Sequence, residues 1–62
     1  MMNRGDLRVG GTYYTDGGLA CEVLALAGEK VVFKLTLHDG TVRSLDSSVG
    51  RFIATMYLTP PV

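Results

Sequence analysis

The chain has 62 residues, of which 47% are hydrophobic, and its six basic and six acidic side chains leave no net charge. A chain of this length forms at most one domain and buries only about 60% of the surface that its unfolded form exposes. The hydrophobic content excludes a disordered chain, and the neutral charge does not favour nucleic acid as the main partner.

Metal ions, disulfides and cofactors are not expected to stabilise this small core. The chain has a single cysteine, Cys21, and a single histidine, His38, whereas a structural zinc site needs four ligands. We therefore expect no metal and no cofactor, and a core that depends on packing or on self-association. Neutral charge and an apolar composition favour association, so we expect a homo-oligomer, most simply a dimer.

No stretch of the sequence has the character of a targeting or membrane segment. The first eleven residues are polar and contain glycine, so they lack the apolar core of a secretory signal. The longest uninterrupted apolar run, residues 23–27, is far too short to cross a membrane. Because a free cysteine is typical of a reducing compartment, we expect a cytoplasmic protein without a membrane partner.

The predicted elements begin after a leader, residues 1–11, which we expect to be flexible. Residues 12–15 predict a short strand rich in Thr and Tyr, and a turn at Asp16-Gly17-Gly18 follows it. Residues 19–27 suit a strand or a helix, because periodicity cannot separate the two in so short an apolar run. The glycine turns on both sides favour a strand, with Cys21, Val23 and Ala25 on one face.

The second half of the chain predicts three more extended segments. Apolar and polar side chains alternate with a period of two in residues 30–38, which is typical of a strand with one buried face. The Asp39-Gly40 turn leads to a return strand at residues 41–46, where Val42 and Leu45 point to opposite faces and indicate a bend or bulge. Residues 46–50 favour a turn or a short 3-10 helix, and residues 52–59 predict the last strand, which the prolines after it end.

Together these segments predict an all-β domain at residues 12–59 with a tail at residues 60–62. A five-stranded antiparallel sheet has edges and two faces to cover, and closure into a small barrel does both. The strand order, the turn lengths and the break at residues 46–50 resemble the SH3-like barrels, in the broad sense that includes KOW and Tudor-type modules. Residues 14–26, followed by Glu29-Lys30-Val31-Val32-Phe33, are similar to the start of short barrel proteins of bacteria and their phages. The resemblance implies a five-stranded SH3-like barrel that binds a partner.

No grouping of residues in the sequence indicates catalysis, so we expect a protein that is not an enzyme. Asp39, beside His38, is a turn residue that faces its own backbone rather than orienting a catalytic base. Cys21 has Glu22 beside it and no cation, so a buried thiol explains it better than a nucleophile does. The glycine pairs lack the following helix and Lys-Ser/Thr of a phosphate-binding loop. An enzyme assembled across subunits ranks last, because nothing indicates a substrate.

Aromatic side chains are the first candidates for a binding surface. SH3-like folds bind ligands on aromatic side chains near their loops, and the tyrosines of this chain are Tyr13, Tyr14 and Tyr57. Adjacent residues of a strand point to opposite faces, so at least one of Tyr13 and Tyr14 is expected to be exposed. We therefore expect a non-enzymatic module that binds another protein. In a phage or mobile element, the partner would be a host factor.

Basic side chains give an alternative function. Lys34, Arg43 and Arg51 are candidates for a small basic patch, which would indicate a nucleic-acid-binding module of the KOW type. Solvated charges that keep sheet edges from pairing explain the same residues better.

Overall fold

The computed structural model describes residues 2–61, which form one antiparallel sheet with a helix on one face. In chain order the elements are a 3-10 turn at Arg4–Asp6, β1 at Thr12–Tyr14, β2 at Ala20–Ala27, β3 at Lys30–Thr36, β4 at Val42–Ser48 and the α-helix α1 at Val49–Thr55. The strands lie in the order β1-β2-β3-β4. We call the face that packs against α1 the inner face and the opposite one the outer face.

The predicted closed five-stranded SH3-like barrel is wrong, because the described residues form a four-stranded open sheet. The first half of the last predicted strand, residues 52–55, lies in α1, and β4 continues through part of the predicted turn to Ser48. Ser48 is the N-cap of α1, and its Oγ accepts a hydrogen bond from the backbone N–H of Arg51 at 3.2 Å. A helix therefore covers the inner face, and the sheet needs no closure to bury it.

The other four predicted strands are confirmed, including the segment that suits a helix and a strand alike. Glycines at positive φ form the tight turns between them. Gly28, with φ of +59°, is the first residue of the two-residue turn between β2 and β3, as a type II′ hairpin requires. Gly40, with φ of +88°, donates its N–H to the carbonyl of Leu37 at 3.0 Å and closes the turn between β3 and β4.

A bulge interrupts β2 and changes which of its side chains share a face. The register shifts between Val23, which pairs with Phe33, and Ala25, which pairs with Val32, so Leu24 is the extra residue. Ala25 therefore lies on the outer face, and its predicted place beside Val23 is wrong. The bulge predicted between Val42 and Leu45 is also wrong, since β4 pairs with β3 in one unbroken register.

The core lies between the inner face of the sheet and α1. Phe52 is fully buried at its centre, and its ring packs edge-on against Tyr13 and Phe33, with centroids 5.7 and 5.1 Å apart. The remaining buried side chains are those of Met2, Cys21, Val23, Val31 and Val49. Part of the N-terminal leader therefore contributes to the core. Met1 of that leader and Val62 of the predicted tail lie outside the described residues.

Candidate functional site

The three tyrosines predicted to bind a partner have different environments. Tyr13 is only 3% exposed, and its hydroxyl donates to the carbonyl of Asp6 at 2.6 Å and accepts from the backbone N–H of Arg8 at 3.0 Å. Both partners belong to the leader. Tyr13 therefore attaches the leader to the sheet, and its side chain presents almost no surface to a ligand.

Tyr14 and Tyr57 are brought together at the edge of β1. Each backbone N–H donates to the carbonyl of the other residue, at 2.9 and 2.8 Å, in an antiparallel bridge. The Tyr57 side chain is 37% exposed, and its hydroxyl lies 3.4 Å from Oδ1 of Asp16. We call these two residues the tyrosine pair. Their bridge occupies backbone groups that the edge of β1 would otherwise present to solvent.

The three predicted basic residues do not form one patch. Lys34 lies on the outer face, where its Nζ is 3.2 Å from Oε1 of Glu22. Arg43 pairs in register with Leu35, which packs against the core, so Arg43 belongs to the inner face of β4. Arg51 lies on α1, also on the inner side of the sheet. The sheet therefore separates Lys34 from the two arginines.

A groove of about 500 Å³ runs between the inner face of β4 and helix α1. The apolar side chains along it are Phe33, Leu45 and Met56, and its polar lining is Asp46, Ser47, Ser48, Arg51 and Thr55. Leu45 remains 43% exposed although it lies on the inner face. The groove thus combines apolar surface with hydroxyl groups, an acidic residue and a cation.

β4 is an open edge over its whole length. The Leu37 N–H bonds to the Thr41 carbonyl at 2.8 Å, and the Val49 N–H bonds to the Glu29 carbonyl at 2.7 Å. The two bonds lie at opposite ends of β4. Along an antiparallel strand, residues that bond to the neighbouring strand alternate with residues that do not, so the odd-numbered residues between these two bonds also bond to β3. The residues whose N–H and C=O groups point away from the sheet are Val42, Ser44, Asp46 and Ser48. Within residues 2–61, no strand pairs with this side of β4.

The thiol of Cys21 is buried in the core. Burial raises the pKa of the Cys21 thiol, whose Sγ lies 3.9 Å from Sδ of Met56. A buried thiol with a raised pKa is a poor nucleophile. In the part of the chain that the structure describes, no three His, Cys, Asp or Glu side chains are grouped as metal ligands. The same residues contain no helix with the length and apolar character needed to cross a bilayer.

No protein-family model, curated protein or solved structure matches this chain. The likeness to SH3-like modules therefore remains a resemblance of sequence pattern, and the surfaces have to be interpreted from their own chemistry.

Sequence reasoning predicted Arg43 and Arg51 as parts of a basic patch but missed both the groove, which Arg51 lines, and the open edge of β4, the strand that contains Arg43. The edge was missed because β4 was expected to be closed into a barrel, and the groove because α1 was expected to be a strand. The signal for α1 is present in the sequence, since Val49, Phe52, Ile53 and Met56 have the spacing i, i+3, i+4 and i+7 of a helix with one apolar face.

Proposed function

We propose that the protein is a non-enzymatic interaction module that binds an extended segment of a protein partner along the open edge of β4. The observation that supports it is a seven-residue strand edge, unpaired within residues 2–61, directly beside a groove with both apolar and polar lining. In strand addition, backbone hydrogen bonds supply affinity and pockets for alternate side chains supply specificity. In this protein, the open edge of β4 and the groove lie on adjacent surfaces.

The two edges of the sheet differ in a way that favours β4. At β1, the bridge to Tyr57 occupies the backbone groups of Tyr14. At β4, the backbone groups of Val42, Ser44 and Asp46 face outward, and no strand of the described part of the chain lies beside them. An exposed edge is a template for pairing unless something covers it, so β4 is the edge on which a partner strand gains the most hydrogen bonds.

The groove also indicates which side chains the partner presents. A strand added to β4 directs alternate side chains toward the inner side of the sheet, where Leu45 and Met56 offer apolar contacts and Arg51 offers a cation. We propose a partner segment that presents an apolar residue to this groove. Because the chain has a free thiol at Cys21, we place this activity in a reducing compartment, the cytoplasm.

Nucleic-acid binding, the alternative function, has weaker support. It would need the predicted cations on one surface, and Lys34 is separated by the sheet from Arg43 and Arg51. The tyrosine pair is the other competing surface, and it lies at the opposite edge of the sheet from β4.

Selection of displayed peptides with the purified protein, followed by amide chemical-shift mapping, tests this function. Bound peptides should shift the amides of Val42, Ser44 and Asp46 and of the groove. Ser44→Pro removes one outward N–H, so it should weaken binding by about tenfold or more, as the loss of a backbone hydrogen bond predicts. Ser44→Ala keeps that N–H and is the matched control, which should bind like the wild type.

Two other results would assign binding to a different surface. Shifts confined to Tyr14 and Tyr57 would assign binding to the tyrosine pair and contradict strand addition. Binding of DNA or RNA that weakens steeply with salt, without peptide binding, would support the alternative function.

A further inference from the structure

We infer that the strand received by the open edge is β4 of a second copy of this chain, paired antiparallel about a two-fold axis at Leu45. This inference rests on the proposed function, since it names the segment that the edge binds. A peptide selected for binding to this edge would therefore have to displace the second copy. The product is a symmetric dimer with one continuous sheet through both copies.

The position of Leu45 in the strand supports this register. Leu45 is the midpoint of Val42–Ser48, so an axis through it pairs the whole of β4 with its copy. Ser44 then lies opposite Asp46 of the second copy, and Val42 lies opposite Ser48. These are the residues whose N–H and C=O groups point outward, so the outward groups of Ser44 and Asp46 all acquire partners. The Ser48 carbonyl already accepts a hydrogen bond from the Ser47 hydroxyl at 3.1 Å.

Side chains on both faces are compatible with the same register. On the inner face, Leu45 meets Leu45 of the second copy in a non-hydrogen-bonded pair, where the Cα atoms approach to about 4.5 Å. Each leucine is 43% exposed in the single chain, and the pairing would cover both and bring the two grooves together. On the outer face, the Ser44 hydroxyl can donate to the Asp46 carboxylate of the second copy.

Charge disfavours the other registers. An axis at Asp46 would place two carboxylates directly opposite each other, and an axis at Arg43 would do the same with two guanidinium groups, which destabilises a strand pair. An axis at Ser44 would place Arg43 opposite Leu45. All three also leave part of β4 unpaired. With no net charge on the chain, no long-range repulsion opposes the approach of two copies.

The symmetry also explains where assembly stops. A two-fold contact uses the same edge of both copies, so it is closed once it forms. The outermost strands of the dimer are then the two copies of β1, whose edges are bridged by Tyr57.

Cysteine cross-linking tests the register. Under mild oxidation, Leu45→Cys should give a disulfide-linked dimer on a non-reducing gel, because the expected Cα separation lies in the range that disulfides span. Val42→Cys is the control from the same edge. Its two copies would lie about 20 Å apart, six residues along the strand, and should not cross-link. The wild type, whose Cys21 is buried, should also remain uncross-linked.

Light scattering behind a sizing column tests the assembly itself. The wild type should elute as a dimer, and Leu45→Arg should elute as a monomer with an unchanged circular dichroism spectrum. Leu24→Arg is the matched control, because Leu24 is also 43% exposed but lies at the bulge of β2, and it should remain dimeric.

A monomeric wild type, or equal cross-linking through positions 42 and 45, would overturn the inference. A monomer that still binds selected peptides along β4 would overturn the dimer alone and leave strand addition standing. A monomer whose β4 amides respond to no peptide would overturn both.

Discussion

The role of Tyr13 depends on the hydrogen bonds of its hydroxyl and could not be predicted from the residue type alone. Alternation along β1 correctly places Tyr13 and Tyr14 on opposite faces, but only the fold shows that the inner one bonds to the leader. Those partners are seven and five residues away in sequence and carry no side-chain signal, since both are backbone groups of Asp6 and Arg8. By contrast, the burial of Cys21 followed from its chemistry and is confirmed.

Tyr13→Phe should therefore destabilise the protein without changing its fold. The substitution leaves the Asp6 carbonyl and the Arg8 N–H without their partner in a partly buried site, which costs about 0.5–1.5 kcal/mol. Urea unfolding followed by circular dichroism measures the change. Tyr57→Phe is the control, because its hydroxyl makes only a long contact with Asp16 at 3.4 Å near the surface. Equal stability of the two variants would contradict the role assigned to Tyr13.

Among the elements, α1 is the one that the sequence analysis assigned wrongly. Its residues include Phe, Ile and Thr, which favour strands when each is considered by itself. Two other features decide in favour of a helix: the cap at Ser48 and the apolar spacing that places Val49 and Phe52 on one side. That spacing begins at Val49, inside the segment expected to be a turn. Because the last strand was expected to begin at residue 52, the apolar positions of the helix were divided between two predicted elements.

The cap of α1 gives a prediction at the scale of the element. Ser48→Ala removes the acceptor of the Arg51 N–H at 3.2 Å, and loss of an N-cap side chain costs about 0.5–2 kcal/mol. In a domain of this size, each 1 kcal/mol lowers the midpoint of thermal unfolding by about 4–8 °C. Ser44→Ala is the control, since Ser44 lies in the middle of β4 and caps no helix. A variant at Ser48 as stable as this control would show that the cap contributes nothing.

The position of the bulge in β2 could not be predicted from the sequence of that strand alone. Leu24 is one of several similar apolar residues in a row, and nothing in its own chemistry identifies it as the extra residue. The bulge is defined by the partner strand, because Val31 and Phe33 must both face the core. Periodicity within one strand therefore predicted Cys21 and Val23 on the same face but could not predict where the alternation would be interrupted.

For the whole molecule, the strand boundaries were largely predictable and the closure was not. Whether a small sheet closes into a barrel or remains open depends on what covers its inner face. Here α1 and the leader cover it: Phe52 lies at the centre of the core and Met2 is buried beside it. β4 lies beyond this cover, so its edge and the exposed Leu45 follow directly from the open architecture.

The leader is also joined to the sheet by an ion pair between Arg4 and Glu29, and this pair makes stability depend on pH. Hydrogen bonding and the positive charge of Arg4 hold the pKa of Glu29 below its ordinary value. The carboxylate therefore stabilises the fold above the unfolded-state pKa of about 4, and this contribution is lost as the pH falls through the lower pKa of the folded protein.

The thermal midpoint should thus decrease on acidification, and by less in Glu29→Gln than in the wild type. Arg4→Gln should reduce the acid dependence in the same way, because it removes the cause of the pKa shift. An acid limb that is identical in all three proteins would show that the pair does not hold the leader in place.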